Sequence, residues 1–139
     1  MRTSRIVQYN MDRLEMGEKH KLCDIIVNMV VPDYKMGNYA FGYIDKEDGA
    51  FVVCYVGRSD SDLKKEIKQQ MKTDRAKGCT HFKFSIASTK KEAFEKECRN
   101  YHDFGECDCL NNDIHPAKPA GTEYKCPVEG CEYHTTNIR

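Results

Sequence analysis

The sequence has no surplus of charge: Lys and Arg total 22, and Asp and Glu total 22. A strongly basic domain points to nucleic acid by its charge alone, and this chain does not. Any surface for nucleic acid has to come from local clustering. Long apolar runs are also missing. The longest, Ile25 to Val31, contains Asn28 and is far too short to span a bilayer, so no membrane is expected as a partner. The first twenty residues lack the apolar segment of a secretory signal. The chain is therefore expected in a reducing cytoplasm, where its eight cysteines read as free thiols or metal ligands. Disulfide pairing is the alternative, since the count is even. No internal repeat or low-complexity tract is visible. A length of 139 residues suits one domain that buries its core without covalent staples.

The apolar pattern orders the elements. Residues 3–16 suit a short helix, with Ile6, Tyr9, Met11 and Leu14 weakly periodic. Leu22 to Val31 suits a buried strand or a helix segment, and periodicity does not choose between them. Residues 38–45 and 50–56 form a predicted β-hairpin about the turn Lys46-Glu47-Asp48-Gly49. The second arm is apolar nearly throughout, as in a strand covered on both faces. Ser59 or Asp60 caps the next helix, whose apolar positions are Leu63, Ile67 and Met71. His81 to Ala87 is a third strand. Thr89, three residues before Glu92, opens a second helix with a capping-box pattern, running to about His102. The expected fold is α/β (α+β): a small three-stranded antiparallel sheet flanked by helices. One domain, 1–139, divides into an N-terminal extension (1–36), a core (37–105) and a Cys/His-rich tail (106–139).

Gly37-Asn38-Tyr39 opens the hairpin and Tyr55-Val56-Gly57 closes it. A helix follows, and a later helix carries Glu92-Ala93-Phe94-Glu95-Lys96-Glu97. In this order the motifs resemble the GIY-YIG nuclease family over about residues 37 to 112. The resemblance implies a metal-dependent hydrolase of phosphodiester bonds in DNA or another nucleic acid. It implies that Tyr39 and Tyr55 lie side by side and orient or deprotonate water. It further implies that Glu97 holds magnesium or manganese through oxygen. Glu95, two residues away on a helix, points to another face. The family's helical arginine has no counterpart, since Glu66 falls in that slot. Arg58 or Lys65 is the candidate replacement, Lys65 being the poorer one because a lysine lacks the bidentate fork. A member without that cation is either an impaired nuclease or a module that binds nucleic acid or protein. On the nuclease reading, the basic surface for DNA would come from Arg58, Lys64, Lys65, Lys68, Lys72 and Arg75, along the first helix and its flanks.

Five of the eight cysteines and three of the five histidines fall in residues 98–139. Cys98 and His102 are four apart on the second predicted helix and share a face. Cys126 and Cys131 flank Pro127-Val128-Glu129-Gly130, where glycine lets the chain turn back. Together they form a candidate structural zinc site with three thiolates and one imidazole. Cys107 or Cys109 is an alternative to Cys98, and His115 to His102. Asn111 or Asn112 is the candidate for tying the tail to the region of the two tyrosines.

Overall fold

The computed structural model describes residues 14–135. The helix expected over 3–16 lies almost wholly outside the described residues. The element order is β1 (His20–Lys21), α1 (Asp24–Val30), β2 (Gly37–Ile44), β3 (Phe51–Ser59), α2 (Leu63–Gln70), a 3-10 turn (Asp74–Ala76), β4 (His81–Ile86), α3 (Lys90–Asp103), α4 (Glu106–Cys109) and a second 3-10 turn (Glu132–His134). The sheet is antiparallel, in the order β1-β4-β2-β3. It has four strands where three were expected. The extra strand is the two-residue β1, pairing His20 with Phe82 and Lys21 with His81. Two polar residues carry no alternation, so only backbone pairing reveals them.

Local chemistry sets the helix starts. Asp62 caps α2 by accepting from the Lys65 amide, two or three residues later than expected. Ser59 instead accepts from the Asp62 amide across the preceding turn. At α3, Thr89 Oγ1 accepts from the Glu92 amide and Glu92 Oε1 accepts from the Ser88 amide, a reciprocal cap. Leu22 to Val31 resolves as the short helix α1, which buries Val27 but leaves Ile25 and Met29 exposed. Among the described residues no helix is long and apolar enough to cross a membrane.

The sheet separates two cores. On one face Tyr39, Phe41 and Phe82 pack with Val27 of α1 and with Leu63 and Ile67 of α2. On the other, Ala40, Val53 and Val56 pack with Tyr101 and Phe104. A bulge makes this separation possible. Phe41 pairs with Tyr55 but Gly42 pairs with Val53, so Cys54 is the extra residue of the bulge. The extra residue resets the alternation, which puts Val53 and Val56 on one face and Tyr55 on the other.

Gly57 stands opposite Tyr39, and a Cβ there would lie 2.5 Å from the Tyr39 ring and hydroxyl. Tyr39 is fully buried and cannot move aside cheaply. Gly57→Ala is expected to lower stability by about 1–3 kcal/mol in urea unfolding, through overpacking. An unchanged midpoint would show that the ring yields.

Candidate active site and metal centre

Strand β3 is an edge strand, so side chains from both faces of the sheet meet around its border. Tyr39 and Tyr55 lie on the same face, with ring centroids 6.1 Å apart. Arg58 and Glu97 come from the other face. Nη1 of Arg58 donates to Glu97 Oε1 at 2.6 Å, and its Nε and Nη2 donate to Asp60. The guanidinium also stacks over Phe94, one turn before Glu97 on α3. Glu66 of α2 closes the group by accepting from the Tyr39 hydroxyl at 3.0 Å.

Two adjoining recesses open on these residues. The smaller, about 280 Å³, is lined by Tyr55, Arg58, Asp60, Glu66, Glu97 and residues 117–120. The larger, about 400 Å³, takes in Tyr55, Arg75, Glu97 and residues 112–117. Tyr39, Tyr55, Arg58 and Glu97 are thus brought together, and Glu66 joins them. Lys65 is not: it is exposed and lines a separate groove with Tyr34, Lys64 and Lys68.

Burial dominates the electrostatics. It pushes the Glu97 carboxyl up to about 7, against the pull of Arg58. It raises Glu66 as well, against the Tyr39 hydrogen bond and the charge of Arg75. Burial and the Glu97 charge push Tyr55 up to about 12, and Tyr39 rises well above its ordinary value. At neutral pH both tyrosines are therefore protonated, able to donate and accept hydrogen bonds but not to serve as bases. Glu97 is the group that changes protonation near neutrality.

The tail is tied to the sheet by its two asparagines, and further on it carries a Cys/His group. The Val56 amide donates to Asn112 Oδ1 at 3.0 Å, and Asn112 Nδ2 donates to the Val56 carbonyl at 2.8 Å. The Asn111 amide donates to the Cys54 carbonyl. Both asparagines hold the edge of β3, so the choice left open between them resolves as a pair. Further on, the ligand atoms of His102, His115, Cys126 and Cys131 lie within 4.8 Å of one another, a group that could hold a metal ion. His102 Nδ1 faces Glu106 Oε2 at 2.6 Å and His115 Nδ1 faces the Pro116 carbonyl at 2.9 Å. Each partner oxygen accepts, so the proton sits on Nδ1 and each Nε2 offers its lone pair inward. Cys131 Sγ also accepts from the Tyr133 amide.

Cys98 is not in this group. It is fully buried between Phe94 and Cys126, one turn nearer the middle of α3 than His102. His115 stands in its place. The shared face of Cys98 and His102 was readable from their spacing. The irregular path that brings His115 there has no period to read. Cys107 and Cys109 lie outside the group too.

The Glu97 shift has a measurable consequence. A folded-state pKa above the unfolded value stabilises the fold at low pH, and that contribution is lost as pH rises through about 7. Without added divalent cation, wild-type stability is expected to fall by up to about 1 kcal/mol per pH unit in the window between the two pKa values. Glu97→Gln should flatten that slope. Parallel pH profiles for the two proteins would show that Glu97 is ionised throughout.

No family model, curated protein or solved structure matches the chain, so its function is argued from the geometry of the site.

Proposed function

We propose that the chain is a GIY-YIG-type, metal-dependent phosphodiester hydrolase acting on DNA. One observation supports this above the others: Tyr39, Tyr55, Arg58 and Glu97, carried by three separate elements, converge around the border of β3. Tyr55 lines both recesses and stays protonated, so its role is to orient water by hydrogen bonding. Tyr39, sealed behind it, fixes the ring positions and passes its own hydrogen bond to Glu66. Arg58 holds the Glu97 carboxylate in place through one oxygen.

The donor set is compatible with a hard cation. Glu97 gives only Oε1 to Arg58 and lines both recesses, while Asp60 and Glu66 add carboxylates to the smaller one. Magnesium or manganese needs only one or two carboxylates, since it keeps most of its water. Glu97 would hold it, and the bound ion would neutralise charge on the phosphate oxygens.

A specific observation favours a second reading, a catalytically impaired module that binds nucleic acid or protein. Glu66 puts a carboxylate on Tyr39 where the family resemblance expects a cation. Nicking of supercoiled plasmid with magnesium or manganese separates the two. The hydrolase reading expects nicking that drops at least about 100-fold in Glu97→Gln, because a neutral amide is a poor ligand for a hard cation. Glu66→Gln should raise the rate, since it removes the charge and keeps an acceptor for Tyr39. No cleavage by wild type, with binding retained, would favour the module. Equal cleavage by Glu97→Gln would place the activity elsewhere.

For the tail we propose structural zinc. A tetrahedral ion with Zn–S of about 2.3 Å and Zn–N of about 2.05 Å separates sulfur from nitrogen by about 3.6 Å. The Cys126–His102 and Cys131–His115 separations are both 3.5 Å. Two thiolates and two neutral imidazoles balance the ion's charge. Burial lowers the His115 pKa and so favours its neutral form. Purified protein should carry about one zinc per chain. Cys131→Ser should lose the metal and speed amide exchange in the tail, while β2 and β3 keep their protection. Cys98→Ala should keep the zinc. Metal loss in Cys98→Ala with retention in Cys131→Ser would overturn this ligand set.

A further inference from the structure

The cleft is short of available positive charge. Arg58 is fully engaged, with Asp60 on one side and Glu97 on the other. Asp60, Glu66 and Glu97 all line the recess it occupies. A phosphodiester approaching Tyr55 would therefore meet carboxylates and an already neutralised guanidinium.

A second cation reaches the site from outside the sheet. Arg75 sits in the 3-10 turn Asp74–Ala76, beyond the end of α2. It is exposed, and among the described residues its side chain makes one hydrogen bond, from Nη1 to Gln70 Oε1 at 3.4 Å. Among the described residues no carboxylate pairs with it. Arg75 lines the larger recess together with Tyr55 and Glu97. It also lines a further cavity of about 720 Å³ with Thr73, Lys77 and Asn111, where Asp74 and Asp113 are the acidic neighbours. Its charge pulls down the pKa of both Tyr55 and Glu66 against the effect of burial, which places its field on the cleft.

The turn carrying Arg75 is anchored to the strand carrying Tyr55. Asn111 Nδ2 donates to the Arg75 and Lys77 carbonyls, at 3.1 and 3.5 Å. The Asn111 amide donates to the Cys54 carbonyl at 2.5 Å. One residue thus ties the backbone of the Arg75 turn to the strand that carries Tyr55.

We propose that Arg75 is the phosphate-binding residue of the cleft, supplying the cation that Glu66 displaces from α2, with Lys77 tracking the neighbouring phosphate of a nucleic-acid strand. The inference rests on the phosphodiester reading of the site. Arginine suits the role because its fork meets two phosphate oxygens at once.

Two measurements on the full chain test it, with Arg75→Gln compared against Lys46→Gln. The second variant removes an equal charge from the β2–β3 turn, at the opposite end of β3 from Arg58. Both positions are exposed, so melting temperatures should match wild type. In plasmid nicking at saturating DNA, Arg75→Gln is expected to lose at least about tenfold in rate, Lys46→Gln less than about threefold, and Arg75→Lys to recover part of the loss. In binding of a labelled DNA duplex without added divalent cation, Arg75→Gln should weaken affinity at least about fivefold and reduce the salt slope by about one. Cleavage by wild type with equal rates in Arg75→Gln and Lys46→Gln would overturn the role of Arg75 and leave the hydrolase reading standing. If wild type does not cleave, the hydrolase reading fails and binding decides. A loss of affinity and slope confined to Arg75→Gln upholds a phosphate contact. Equal losses, or no binding by wild type, overturn it.

Discussion

The exposed edge of β3 is the constraint from which the rest of the site follows. An edge strand presents backbone amides and carbonyls with no neighbour, and burying them unpaired is costly. Here the Cys54 carbonyl and both polar groups of Val56 are satisfied by Asn111 and Asn112. Asn112 supplies a donor and an acceptor from one side-chain amide, as a neighbouring strand would. The tail must therefore run along this border. Residues 112–120 become the wall of the recesses, and His115, three positions beyond Asn112, is delivered to the Cys/His group.

The same border explains how groups from opposite faces act together. Tyr55 belongs to the face covered by α1 and α2, and Arg58 to the face covered by α3. In the middle of a sheet they would be separated by the backbone layer. At an edge they share one opening, and the bulge at Cys54 sets which face receives Tyr55. The cost lies in the electrostatics. Glu97 is buried with a single strong ion pair, and desolvation outweighs Arg58 in setting its pKa. A cavity wall that holds a carboxyl near neutrality is what a proton-handling or cation-holding site requires.

Much of this was legible in the sequence because it rests on local rules. The hairpin followed from alternating aromatics around a Gly-containing turn, and the α3 start from Thr89 and Glu92. Tyr39, Tyr55 and Glu97 were singled out by motif order; Tyr55 and Glu97 line one cleft, and Tyr39 is buried behind Tyr55. The features that were not legible depend on long-range pairing. The short strand β1 has no pattern of its own. Glu66 was read as a missing arginine, and its hydrogen bond to Tyr39 could not be seen. Arg75 was one basic residue among six, and only the Asn111 bonds show that its turn is tied to the strand carrying Tyr55.

The Cys/His group and the cleft are mechanically continuous through one short segment. His115 is held at one end by its place in the group, and Asn112 at the other by the edge of β3. Between them lie only Asp113 and Ile114, too few residues to absorb a displacement of either end. On the far side of His115, Pro116 and Pro119 stiffen the stretch that lines the smaller recess. Tail and cleft therefore form one structural unit, although only the core of that unit is built from regular elements. This also accounts for a tail poor in apolar residues packing so closely on the sheet. Its order comes from hydrogen bonds to a strand edge and from a small apolar cluster, in which Tyr124, Cys126 and Val128 pack with Phe94 and Cys98 of α3.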